Sequence, residues 1–161
     1  MEDGSQTPSR LYDTDLTAWA EQQAALLRER ANGEALDYDH LAEEIDDVAG
    51  SIKRACRSYI LVIIEHLLKL QFVAPDRDQR GWRDSVGAAR VDLGFDLTPT
   101  LRARMPEQLG PLFDRQVAKL VSRNLIADEA AVKRVLPDGY SWEQITSKDW
   151  WPEPAYAREP D

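Results

Sequence analysis

Residues 39–73 read DHLAEEIDDVAGSIKRACRSYILVIIEHLLKLQFV, and their pattern decides the fold class. Leu41, Ile45, Val48, Ile52, Cys56, Tyr59, Ile63, Leu67 and Leu70 recur at gaps of three or four residues with no proline between them. That spacing places them on one face of a helix. A helix of about 35 residues rising 1.5 Å per residue spans roughly 50 Å. Its acidic start, Glu43, Glu44, Asp46 and Asp47, suits the positive end of the helix dipole. Gly50 and Ser51 mark the one point where it is expected to bend or break. Before Gly50 a single stripe is apolar, whereas from Tyr59 to Leu70 nearly the whole circumference is, apart from Glu65 and Lys69. The second half therefore reads as the centre of a core. The first half reads as flanked on one side only, or as packed against a second copy.

Working outward, Asp13 or Thr14 is expected to cap a helix running to about Arg30. Leu16, Trp19, Gln23 and Leu26 or Leu27 form its inward stripe, and Asn32–Gly33 its stop. On the C-terminal side, Pro75 ends the long helix and a charged loop leads to a helix from about Trp82 to Leu93 or Phe95, with Val86, Leu93 and Ala89 or Arg90 on its face. Thr98–Pro99 opens a short turn. Pro106 or Pro111 starts a helix reaching about Asn124, with Leu109, Leu112, Phe113, Val117 and Leu120 as its stripe. A further short helix or a continuation of the preceding one is expected over Asp128 to Val135, a turn at Pro137–Asp138–Gly139, and a capping box at Ser141 and Gln144. Trp150 and Trp151 are expected to clamp the C-terminal segment. The expected fold is all-α, a bundle of four to five helices around the long one at about 39–73, in a single domain with loose residues 1–10 and 155–161.

The chain has 161 residues, 20 basic and 29 acidic, for a net charge of -9. That sign argues against nucleic acid or an anionic membrane as partner. The most apolar run, Tyr59 to Ile64, is far short of the roughly 20 residues a membrane span needs. No basic segment followed by an apolar run opens the chain, so no signal peptide is expected, and the cytoplasm is the expected location. The one cysteine, Cys56, falls in the apolar seam and reads as a buried small hydrophobe.

Two passages bring a family into view. Leu11-Tyr12-Asp13-Thr14-Asp15-Leu16-Thr17-Ala18-Trp19 and Leu41-Ala42-Glu43-Glu44-Ile45-Asp46-Asp47-Val48, followed by Glu65-His66-Leu67-Leu68-Lys69, resemble bacterial domain-of-unknown-function family twenty-nine. The resemblance runs over residues 11 to 151, closing with Tyr140-Ser141-Trp142-Glu143-Gln144-Ile145 and Trp150-Trp151-Pro152. It implies a helical, cytoplasmic bacterial protein without an assigned activity.

Chemistry-bearing residues are few. Glu44, Asp47, Glu65 and His66 are the residue types of a carboxylate–imidazole metal or acid–base site. On one straight rod Glu44 and Glu65 lie about 31 Å apart by helical rise. They meet only if the helix folds back near Gly50 or if two antiparallel copies cross near Ala55. A partly buried His66 needs a hydrogen-bond partner. Arg77, Arg80 and Trp82, with Arg83, sit where a small anion or a partner could be held. No phosphate loop, zinc-protease helix or nucleophile motif is present. The expected function is a non-enzymatic protein that binds another protein or self-associates as a homodimer, without a cofactor. The alternative is a metal-dependent or carboxylate-based hydrolase holding a divalent ion.

Overall fold

A computed structural model of the protein describes residues 8–29, 37–74 and 78–155. Its helices are α1 Pro8–Thr14, α2 Leu16–Glu29, α3 Tyr38–Phe72, α4 Gln79–Asp96, α5 Pro99–Arg104, α6 Leu109–Ser122, α7 Glu129–Val135 and α8 Trp142–Thr146, with a 3-10 turn at Met105–Gln108. The class is all-α, and α3, at 35 residues, is the longest element. Four helices have 14 or more residues, namely α2, α3, α4 and α6. The remaining segments take the count past the expected four to five. They are set by local caps and prolines and are too short to display a period. The expected stop at Asn32–Gly33, together with Pro75 and Arg77, lies outside the described residues.

The chain divides into two compact units, residues 1–55 with 96–104, and residues 56–95 with 105–161. α3 supplies its residues up to Ala55 to the first and those from Cys56 to the second. It runs unbroken through Gly50, so the fold-back envisaged there does not occur.

The first unit is built on small side chains. Ala20, Ala24, Ala42 and Ala49 are buried with Thr17, whereas Leu26, Leu41 and Val48 are exposed. The expected stripe is therefore rotated on both α2 and α3. Alanine adds little to a hydropathy pattern, yet it lets helices approach closely. Asp15, not Asp13 or Thr14, caps α2: its Oδ1 accepts from the Ala18 amide at 3.0 Å. Its Oδ2 accepts from the Thr100 amide at 2.7 Å, so one buried carboxylate satisfies the starts of both α2 and α5. Thr98 adds a hydroxyl contact to Thr17 at 2.9 Å. Arg28–Asp46 and Arg104–Glu21 ion pairs lie on its surface.

In the second unit the all-round apolar half of α3 is core, as its composition requires. Cys56, Ile60, Ile63, Ile64, Leu67 and Leu68 are buried, joined by Val86 and Leu93 of α4 and Leu112, Phe113, Val117 and Leu120 of α6. α4 begins at Gln79, three residues ahead of the expected start, because Asp78 caps it through the Gly81 amide at 2.9 Å. α6 stops where Asn124 adopts a positive φ of 54°. The Ser141–Gln144 capping box is present at α8. Phe113, Tyr140 and Trp150 form a chain of edge-on ring contacts at 5.6 and 5.8 Å.

Candidate functional site

The concentration of polar chemistry in the second unit lies between the C-terminal half of α3 and α6. Glu65 of α3 receives hydrogen bonds from Lys69, one turn on at 2.7 Å, and from Lys119 of α6 at 2.5 Å. Its side chain is 13% exposed. Burial pushes the carboxyl up, but the two lysine hydrogen bonds and their charges overcome this and hold it at about 2. Glu65 is thus a fixed anion with both oxygens occupied, poorly suited to taking up a proton. Its neighbour His66 has a buried Nδ1 without a hydrogen-bond partner among the described residues. Burial lowers the His66 pKa, and Lys69 and Lys119 push the same way against Glu65, so the protonated ring is disfavoured.

Gln116 stands within the apolar stripe of α6 and is buried. Its Nε2 donates to the Leu61 carbonyl at 2.9 Å, which fixes the amide and leaves Oε1 without a partner. Together with Ser58, Leu61, Val62, Glu65, Arg115 and Lys119 it lines a surface pocket of about 310 Å³. The sequence signal for this site is a polar residue at a core position of α6, flanked by two cations one turn apart at Arg115 and Lys119. Of its lining only Glu65 was among the candidates named above.

A second polar focus is structural. Arg90 of α4 is 3% exposed and donates to three carbonyls: Ile145 at 3.0 Å, Trp150 at 3.0 Å and Gln144 at 2.7 Å. Its guanidinium lies 5.0 Å from the Trp151 ring centroid, with Arg83 at 4.6 Å from the same ring. The two tryptophans clamp the C-terminal segment, and Arg90 is the bolt.

A family model described as "Domain of unknown function DUF29" matches residues 11–151. The chain belongs to the DUF29 family. A search of solved structures gives an alpha-helical protein of unknown function from Rhodospirillum rubrum ATCC 11170. It is similar over 86% of this chain and 90% of that one, with 25% identity and a TM-score of 0.64. No curated protein matches the chain.

In this DUF29 chain the expected site residues are divided between the two units. Glu44 and Asp47 are exposed on the first unit's part of α3, while Glu65 and His66 belong to the second unit. Among the described residues no three His, Cys, Asp or Glu side chains group as a metal set. Arg80 is exposed and Trp82 half-buried at the start of α4; Arg83, not Arg80, reaches an aromatic ring. No helix among the described residues is long and apolar enough to cross a membrane.

Proposed function

We propose that this DUF29 chain acts by binding protein, and that its partner is a second copy of itself, held along the first half of α3. One observation carries this reading. Leu41 is 40% and Val48 37% exposed, seven residues apart on the same helical face, with the half-buried Ile45 and Ile52 beside them. This is the spacing of a helix–helix seam. Ser51 and the half-buried Ala55 on its edge are small enough to admit a neighbouring backbone.

The acidic start of α3, with Glu43, Glu44, Asp46 and Asp47, favours an antiparallel pair, because a parallel pair brings the two acidic starts side by side. A crossing at the level of Val48 and Ala49 then sets Ile45 against Ile52 of the second copy. It places Glu44 of one copy level with position 53 of the other, about 20 Å along the helix from His66.

Light-scattering mass tests the reading. The wild-type protein is expected at about twice the 18.3 kDa chain mass at tens of micromolar, and Val48→Glu at the chain mass itself. Ile52→Glu is expected at the chain mass as well, while Arg54→Glu, on the face of α3 turned away from the seam, leaves the dimer intact. A wild-type protein that stays at the chain mass up to roughly millimolar concentration would refute self-association.

A further inference from the structure

The pocket between α3 and α6 has a composition at odds with the chain around it. The protein carries a net charge of -9, yet the three charged residues lining this pocket are Arg115, Lys119 and Glu65. Glu65 is already satisfied by two ammonium groups, Lys69 and Lys119. Arg115 has no ion-pair partner among the described residues. Counting Lys69 behind the wall, three cations meet one carboxylate, and the local excess is positive. The remaining wall is apolar, from Leu61 and the 37% exposed Val62, with the Ser58 hydroxyl also lining the pocket.

We propose that this pocket is a binding site for a small organic anion, a carboxylate or a phosphate ester, whose charge sits between Arg115 and Lys119 and whose apolar part lies on Leu61 and Val62. A volume of about 310 Å³ matches the lower end of small-molecule sites, which begin at about 300 Å³. Arginine offers a planar fork of donors suited to either anion, and Lys119 adds a point charge it already holds in place through Glu65. A metal cation is disfavoured here because the one carboxylate is held by two lysines. A nucleic acid is disfavoured by the overall charge and by the small number of cations.

The test is isothermal titration of the full chain with phenyl phosphate and with benzoate at low salt, benzylamine serving as the cationic control. At least one anion is expected to bind with a dissociation constant between about 0.1 and 1 mM, with benzylamine silent. Which of the two binds more tightly separates a phosphate from a carboxylate ligand. Arg115→Gln, an exposed substitution whose helicity is checked by circular dichroism, is expected to weaken binding about tenfold or more. Lys119→Gln is expected to weaken it also, while amide shifts in the wild-type complex stay within α3 and α6. No binding of either anion at about 10 mM, or equal affinity in wild type, Arg115→Gln and Lys119→Gln, overturns the site. The wild-type mass in solution is measured alongside, so failure of this site and failure of self-association are read separately.

Discussion

Replacing Arg90 tests whether a single buried cation holds the C-terminal segment of the second unit. Its three donors reach the Gln144, Ile145 and Trp150 carbonyls at 2.7 to 3.0 Å, and no carboxylate shares the arrangement. Hydrogen bonds from a charged group contribute about 1.5–3 kcal/mol each against the same groups in water, and the three are not additive because one desolvation cost is common to them. Burial also lowers the guanidinium pKa, which records that cost. The net loss in Arg90→Ala is therefore set at about 3–5 kcal/mol, less than three independent charged hydrogen bonds and including the cost of leaving buried carbonyls unpaired. Arg90→Lys keeps the charge but replaces the planar fork with a point donor. It cannot span three carbonyls from two segments, and about 2–3 kcal/mol is expected to be lost. Arg83→Ala removes the other guanidinium over Trp151 from an exposed position and is expected to cost under about 1 kcal/mol. Urea titration followed by tryptophan fluorescence reads all three variants, with Trp150 and Trp151 as local reporters. Arg90→Lys within about 0.5 kcal/mol of wild type would show that charge alone, not the three-way geometry, holds the segment.

Acid is expected to release the Glu65 cluster. The carboxyl is held at about 2, below its ordinary 4.5, so its contribution is fully present above pH 4.5 and is lost as pH falls toward 2. The shift corresponds to about 3 kcal/mol, which solvent around the half-exposed Lys119 reduces to about 1–2 kcal/mol. Stability measured from pH 6 to pH 2 should fall less steeply in Glu65→Gln than in wild type; superimposable profiles would remove the assignment. Gly139→Ala is expected to cost about 2 kcal/mol or more. The glycine has a φ of 75°, and an added Cβ would lie 2.9 Å from Phe113 Cγ. A variant as stable as wild type in the same urea titration would show that the Pro137–Gly139 turn relaxes freely.

Much of the helix map is legible in the sequence because local rules write it. The period of α3, the threonine–proline start of α5 and the Ser141–Gln144 capping box each involve residues within a turn of one another. The all-round apolar stretch from Tyr59 to Leu70 likewise announces a core, since no single helix face can shelter it from water. What tertiary structure alone decided concerns residues that local pattern misplaces. In the first unit Leu41 and Val48 face outward while Ala42 and Ala49 are buried, because closeness of packing, not hydropathy, selects the inward face. Asp15 and Arg90 are polar side chains at inward positions. Their burial is tolerated only because amides and carbonyls 85 and 54 to 60 residues away arrive to satisfy them. The pocket beside Glu65 is of the same kind, since α3 supplies the anion and Lys69, and α6 brings Arg115 and Lys119. Spacing along one helix cannot reveal charges that a second helix brings.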